Sequence, residues 1–369
     1  MTQDVVIAGG TEQEAWLHAS AYAIRFSAVD PSPVPEEVTA GDDAKVDVGF
    51  VGLWTPGDPD GHRARMFALK HYATFDDVLI DPRATIVEML LPFPERTRAA
   101  IDAIKTGKHL LLTPPFASSS DEARVLLDAA RGAGVSVMCY EPWPFYPPFQ
   151  KLATLVRRQV VGRIQCLRMR TVLAGAGGWD PFLNPTFPGD RKHGWPSPEN
   201  LIRREAFEKL SLAVRLLGPI ESLSMTGGPI DPTTGGARLL TFKHAAHATY
   251  GSLEIVLAPG MTIRSGHDPR EDLLELTGTA GVLWLTRGPA QMRCEPVLRM
   301  YRGEHLFAYE TLPDQWELGF QGCVRHFVQC IRKRRMLEQE LEITRHVVQC
   351  LEVLQQDTME RYLPEQVEA

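Results

Sequence analysis

The first 140 residues alternate between short apolar runs and stretches with helical spacing, and this alternation restricts the fold more than any other feature. The runs are "VVIAGG" (5–10), "RFSAVD" (25–30), "TIVEMLLP" (85–92), "HLLLTP" (109–114) and "VSVMCY" (135–140). Most lack the polar alternation of a strand with one wet face, so both faces need covering. Between them "EQEAWLHASAYAI", "HRARMFALKHY", "TFDDVLIDP", "PERTRAAIDAIKTG" and "SSSDEARVLLDAARGAG" read as helices. Pro94 opens one helix and Gly107 closes it, while Ser119 and Glu122 have the spacing of a capping box. Buried strands alternating with helices define an α/β domain with a Rossmann-like, doubly wound parallel sheet. Such sheets take ligands beyond the carboxyl ends of their strands, where the strand order reverses.

After about residue 145 the pattern changes. "FYPPFQKLATLVRRQVVG" reads as an amphipathic helix, and the runs "IQCLRMRTVL", "ARLLTFKHA", "ATYGSLEIVL", "LLELTGTAGVLWLT" and "VLRMYRG" alternate as strands. They predict an open, mainly antiparallel sheet. A long Gly/Pro/Trp loop at 174–200 and a helix at 201–217 interrupt them, and helices at 317–333 and 338–356 finish the chain. The expected division is a first domain at 1–143 and an α+β domain at 144–369, with the final helices packing back on the first.

The 369 residues carry 44% hydrophobic and 23% charged residues and a net charge of −7, the balance of a soluble globular protein. The basic run "RKRR" (332–335) is too short for a nucleic-acid surface, and no segment reaches the roughly 18 apolar residues of a membrane span. "MTQD" leads directly into "VVIAGG", and the six cysteines show no CxxC spacing. A cytoplasmic protein with buried, reduced thiols and no bound metal is expected.

The stretch 85–165 carries a more specific signal. "GKH" before a strand, "PPFA" after it, a capped helix, and "FYPPFQ" leading into a helix that ends in glycine resemble the Gfo/Idh/MocA family of NAD(P)-dependent oxidoreductases. "GSLEIVLAPG…ELTGTAGVLWL" is similar to that family's second-domain sheet, so the resemblance spans nearly the whole chain. It implies a dinucleotide at the first sheet, a small polar, sugar-like or cyclic substrate in a cleft between the domains, and a homodimer or homotetramer associating through the outer face of the second sheet. "LEIVLA" and "VLWLTR" are apolar enough to want such cover.

The residues depart from the family at each place where its chemistry is done. The phosphate loop "AGGTEQEAW" keeps Gly9, Gly10 and Thr11 but lacks GxGxxG, and Glu12 and Glu14 bring negative charge to it. Asp30 stands about 20 residues on, at the distance of a ribose contact. "LPFPERT" replaces the family's Thr-Pro-Asn stretch and histidine, with Leu91, Phe93 and Arg96 in those places and Pro92 between them. The family's Glu-Lys-Pro becomes Thr113-Pro114-Pro115, and Pro114 can neither donate a hydrogen bond nor relay a proton. On the helix matching the family's catalytic helix, counting back from Gly218 puts Glu208 at the histidine position. Arg204 or Glu205 falls at the earlier acid and Ser211 at the later one. A carboxylate of ordinary pKa is a weaker base than imidazole, but Glu205, Glu208 and Lys209 form an alternative acid/base set. Glu205 and Glu208 are i and i+3, and neighbouring carboxylates split their pKa values. A solvated charged face with Lys209 in an ion pair is the other reading.

The cleft lining expected from the sequence is Glu141, Trp143 and Tyr146; Trp179, Arg191, Lys192, His193 and Trp195 of the long loop; and Arg264, His267 and Asp268. His193 is a further candidate base. Three functions stay open: a non-redox acid/base enzyme for elimination, cyclisation or isomerisation; an NAD(P)-dependent oxidoreductase with an atypical site; and a non-catalytic ligand-binding subunit, partnered with an active paralogue.

Overall fold

The structure is a computed structural model. It describes residues 3–10, 18, 48–56, 58–66, 68–92, 95–178, 198–245, 249–265, 270–287, 296–335 and 337–356. The chain divides into two compact units, Met1–Lys151 with Thr311–Val348, and Leu152–Glu310 with Gln349–Ala369.

In the first unit, strands β1 (Gln3–Gly9), β2 (Val48–Trp54), β3 (Lys70–His71), β4 (Ile86–Leu90), β5 (His109–Leu112) and β6 (Val137–Cys139) form a parallel sheet of order β3-β2-β1-β4-β5-β6. The order reverses between β1 and β4, which is the ligand-binding switch point of a doubly wound sheet. Helices α1 (His62–Met66), α2 (Phe75–Ile80), α3 (Glu95–Lys105) and α4 (Ser120–Ala133) connect the strands. All five residues of β4 are buried, Glu88 among them. A buried carboxylate in a sheet interior needs a partner, and the ring of His18 supplies it while packing 4.7 Å from Tyr140 and 5.4 Å from Phe320.

Ser119 caps α4 as its spacing predicts, and Gly134 closes it in the left-handed conformation. The reciprocal half of the expected capping box is replaced: the Glu122 carboxylate accepts from Ser118 N rather than Ser119 N, and from the Thr97 hydroxyl, tying α4 to α3. β2 is not foreseen by the sequence, because Gly49 and Gly52 weaken the strand signal of "VGFVGLW". Both glycines have a packing reason. A side chain at Gly49 would meet the Asp4 carboxylate, and one at Gly52 would meet the Tyr72 ring and Lys70 O. The helix expected over "HRARMFALKHY" stops at Met66, and Lys70 and His71 pair with Gly52 and Leu53 instead.

A single 3₁₀ turn (Trp143–Phe145) precedes α5 (Pro147–Arg157), which begins at the two prolines. In the second unit, β7 (Ile164–Gly178), β8 (Ile220–Thr226), β9 (Gly236–His244), β10 (Tyr250–Ser265), β11 (Arg270–Gly278), β12 (Gly281–Arg287), β13 (Leu298–Arg302) and β14 (His305–Ala308) form a sheet of order β14-β13-β12-β11-β7-β10-β9-β8. Every pairing is antiparallel except that of β7 with β10. Helix α6 (Pro198–Leu217) packs on β7 and β10. β8 and β14 are unforeseen; "IESLSMT" begins two residues after Gly218, whose φ of +84° ends the helix. The final helices are α7 (Glu317–Lys333) and α8 (Glu338–Gln356).

The strand period divides the runs "LEIVLA" and "VLWLTR" between the two faces of this sheet, with Val256 and Trp284 half-buried on the outer one. Leu253, Ile255, Leu257, Leu283 and Leu285 are buried, so the apolar bulk of "LEIVLA" and "VLWLTR" turns inward. The opposite face carries ion pairs, Arg168 to Glu275 at 3.1 Å and Arg170 to Glu254 at 3.9 Å.

Replacing Gly52 by Ala should separate β2 from β3 and destabilise the protein by about 1–3 kcal/mol, read as a lower midpoint in chemical denaturation.

Candidate functional site

Helix α6 is apolar around most of its circumference: Leu201, Ala206, Phe207, Leu210, Leu212 and Ala213 are all buried. Glu205 and Lys209, one turn apart, are therefore carried inside, and neither side chain is exposed at all. They meet charges from the sheet. Lys209 Nζ lies 3.0 Å from Asp272 Oδ1 and 3.7 Å from Glu205 Oε2. Arg270 Nη1 donates to Glu205 Oε2 at 3.0 Å and lies 3.9 Å from Glu208 Oε2. Arg287 Nε donates to Asp272 Oδ2 at 2.9 Å, and the Thr171 hydroxyl donates to Asp272 Oδ1 at 2.7 Å. Arg204 Nη2 stands 3.5 Å from Glu205 Oε1. Register explains the convergence, since Asp272 is paired with Thr171 on β7 and with Arg287 on β12.

The cluster sets its acids apart. Burial pushes against ionisation of Asp272, but Lys209, Arg287, Arg270 and the Thr171 hydrogen bond outweigh it and hold the carboxyl well below the usual range. Glu208 behaves oppositely. Burial and the neighbouring Glu205 carboxylate raise it to about 7, against the pull of Lys209, Arg270 and Arg204. Its side chain keeps 13% exposure, which Glu205 and Lys209 lack. Glu208 is thus the member of the set that a proton donor or acceptor can reach. Glu205 acts on Glu208 in the direction their spacing implies, and the charged face is enclosed rather than solvated, since neither Lys209 nor Glu205 is exposed. Lys209 is ion-paired and fixes its neighbours rather than meeting solvent.

At the carboxyl end of β1, Gly9 and Gly10 have φ of +92° and +87°, and the Gly10 carbonyl accepts from Arg63 Nη1 at 2.9 Å. Beyond β2, Thr55 is 7% exposed, and its hydroxyl meets no hydrogen-bond partner among the described residues. Pro92, after β4, is exposed. Pro114 is buried, in cis peptide linkage to Pro115. Arg96, 3% exposed, brackets it by donating to Thr113 O at 2.7 Å, to Thr113 Oγ1 at 3.1 Å and to Pro115 O. Burial lowers this guanidinium to about 10. A cation therefore lies beside Pro114, with its donors turned onto the chain's own backbone carbonyls and the Thr113 hydroxyl.

The remaining sequence candidates fall into two groups. Glu141, Trp143 and Tyr146 are buried in the first unit. Trp143 and Tyr146 pack 5.1 and 5.3 Å from Trp316, and the Tyr146 hydroxyl donates to Asp314 O at 3.1 Å. Their rings thus fix α7's entry to the aromatic core. Thr11, Asp30, Trp179, Arg191, Lys192, His193, Trp195, His267 and Asp268 lie outside the described residues, and Arg264 is described only as a residue of β10. The strand beside β1 is Val48–Trp54, so the place assigned to the Asp30 run belongs to β2, whose end carries Thr55. The sequence reading passed over Arg270, Asp272, Arg287, Thr171, Thr55 and Arg63. For two of these a signal existed: in "REDLLELTG", Arg270 and Asp272 share strand parity with the core residues Leu274 and Leu276, which marks two charges on a buried face.

No family model matches the chain. Among curated proteins, trans-1,2-dihydrobenzene-1,2-diol dehydrogenase of Xenopus laevis is 25% identical over 114 residues, covering 30% of this chain and 34% of that one. The dehydrogenase aclE of Aspergillus oryzae is 24% identical over 234 residues, covering 60% and 62%. The match thus spans between a third and somewhat under two thirds of the length of these relatives. Solved structures match over nearly the full length. An oxidoreductase from Agrobacterium radiobacter in complex with NAD⁺, L-tartaric acid and magnesium superposes with a TM-score of 0.71 at 14% identity, covering 97% of this chain and 96% of that one. UDP-N-acetylglucosamine 3-dehydrogenase GnnA from Acidithiobacillus ferrooxidans gives 0.69 at 14% identity over 97% and 98%. KijD10, a 3-ketoreductase from Actinomadura kijaniata in complex with NADP, gives 0.70 at 14% identity over 97% and 98%. The chain has the fold of the Gfo/Idh/MocA-type NAD(P)-dependent oxidoreductases, as the sequence resemblance implied.

Asp272→Asn should destabilise the protein by about 3–5 kcal/mol, because it leaves Lys209 and Arg287 buried beside a neutral amide. Urea denaturation measures this directly.

Proposed function

We propose that the protein is an acid/base enzyme of the oxidoreductase fold, in which Glu208 exchanges a proton with the hydroxyl of a small, polar, sugar-like substrate. The observation that carries this reading is the state of Glu208: a partly accessible carboxyl raised to about 7 inside a fixed set of charges. A group with that pKa is half ionised at neutral pH, where general acid and base catalysis are both efficient. Arg270 and Glu205 position it, and Asp272 holds Lys209 and Arg287 in place. GnnA and KijD10 are named for reactions at the 3-position of a sugar nucleotide and as a 3-ketoreductase, which supports a hydroxyl or keto carbon as the reacting centre.

The residues at the switch point fit an NAD(P) dinucleotide. Thr55 offers a buried hydroxyl with no partner among the described residues, Arg63 offers a cation, and Gly9 and Gly10 keep β1's end free of side chains. When bound, the dinucleotide supplies the hydride acceptor or donor. In the oxidative direction, ionised Glu208 takes the substrate's hydroxyl proton; in the reductive direction, its protonated form returns it. A second reading, elimination or isomerisation without redox change, uses the same proton transfer. It is favoured by Pro114, which supplies no donor to a developing alkoxide.

Glu208→Gln should lower kcat/KM by roughly 10²–10⁴-fold while substrate still binds. The oxidative rate should rise with pH and level off above about 7, and the reductive rate should fall over the same range. An unaltered rate in Glu208→Gln would overturn the assignment of the proton transfer to Glu208, and absence of turnover in the unsubstituted protein would leave a binding protein. Turnover without a change in nicotinamide absorbance would select the non-redox reading.

The same carboxyl should mark stability. Its folded pKa, about 7, lies above the ordinary 4.5, so its stabilising contribution is complete below about 4.5 and is lost as pH rises through about 7. Glu208→Gln should remove this slope, measured by thermal unfolding at a series of pH values.

A further inference from the structure

We propose that the end of β2 selects NADP(H) over NAD(H), with Arg63 pairing the 2′-phosphate and the Thr55 hydroxyl bonding it. This inference rests on the dinucleotide reading above and adds which nucleotide is taken.

The end of the strand next to β1 decides how a doubly wound sheet reads the adenosine ribose. A carboxylate there accepts from the 2′-hydroxyl of NAD, whereas an arginine neutralises the 2′-phosphate of NADP. In this chain that strand is β2, parallel to β1 in register from Gln3↔Val48 to Ala8↔Trp54. The first residue beyond it is Thr55, which carries no charge. Its hydroxyl is buried without a partner among the described residues, and a buried hydroxyl in that state costs stability that a ligand oxygen would recover.

A carboxylate does follow, but it is already engaged. Asp58 Oδ1 accepts from His62 N at 2.9 Å and Oδ2 from Arg63 N at 2.8 Å, so each oxygen is turned onto the backbone of α1. Asp60, the next acid, is exposed. Arg63 is held differently. One guanidinium nitrogen, Nη1, is fixed on the Gly10 carbonyl at 2.9 Å, which stations the charge at the carboxyl end of β1. The guanidinium has five N–H donors in a planar fork, and among the described residues the Gly10 carbonyl takes one of them, which leaves others for a phosphate. Arg65, exposed on the same short helix, adds to the positive side. The donor set as a whole, a hydroxyl and a guanidinium with the nearest carboxylate occupied, suits a dianion and offers a neutral ribose hydroxyl no free carboxylate of Asp58.

The test is equilibrium binding of NADPH and NADH to the purified chain, followed by nicotinamide fluorescence and repeated with 2′-AMP and 5′-AMP as fragments lacking the nicotinamide. NADPH should bind about tenfold or more tighter than NADH, and 2′-AMP should compete where 5′-AMP does not. Arg63→Gln keeps a donor for Gly10 O but removes the charge. It should erase the preference by weakening NADPH alone, with NADH unchanged within about twofold. Thr55→Val should weaken NADPH while leaving the melting temperature of the free protein unchanged or raised, since its hydroxyl is unbonded. Equal binding of both nucleotides, tighter NADH, or a preference that survives in Arg63→Gln would overturn the inference while the dinucleotide reading stands. Absence of binding by either nucleotide up to millimolar concentration would overturn both.

Discussion

Asp272 is a carboxylate with no exposure, and its ionisation is the condition on which the second unit's interior rests. A lone buried charge would take up a proton or expel the chain around it. Here Lys209 comes from the helix, Arg287 from one neighbouring strand and the Thr171 hydroxyl from the other, so a single acid joins α6, β7, β11 and β12. Such a cluster contributes little to stability beyond what apolar packing would give, but removing any one member leaves its partners stranded. Its value is geometric. With Asp272 committed to Lys209 and Arg287, and Glu205 to Arg270, Glu208 is left at the margin of the group, close enough to Glu205 to be raised and open enough to exchange a proton.

The first unit solves a different problem with a similar tool. Pro114 stands where the family resemblance implies a lysine, and Arg96 is turned onto the backbone beside it. Its guanidinium clasps Thr113 and Pro115 on either side, holding the backbone in the shape the fold requires. The bend around Pro114 is thus held by Arg96.

The two units differ in how well the sequence discloses them. β1, β4, β5 and β6 are short apolar runs, interrupted in β4 by Glu88, whose length and flanking turns mark buried strands, and the Ser119 cap names its own helix. β2 stays hidden because its glycines answer to Asp4 and Tyr72, residues far off in sequence whose proximity no local pattern reveals. The residue types on α6 are equally plain, and Glu205, Glu208 and Lys209 stand out by spacing alone. Their environment does not, because burial of Lys209 depends on Asp272, which arrives through strand pairing. The Glu205 carboxylate that helps to raise Glu208 is legible on the helix, but the burial that raises it more is not. Thr55 and Arg63 escape for the same reason as β2.

The single parallel contact between β7 and β10 has a consequence for how the molecule comes into being. β8, β9 and β10 fold back on one another in sequence, as do β11 to β14, so each meander can form from near neighbours. β7 joins the two, and its partners lie far along the chain: Thr171 meets Asp272 across 101 positions. Contacts of that separation are slow to form because a long loop must first be closed. The charged cluster straddles this seam. A chain with both meanders made but β7 unplaced would hold much of its secondary structure while Asp272 still lacked the Thr171 hydroxyl, so the charged cluster is complete only when β7 is seated.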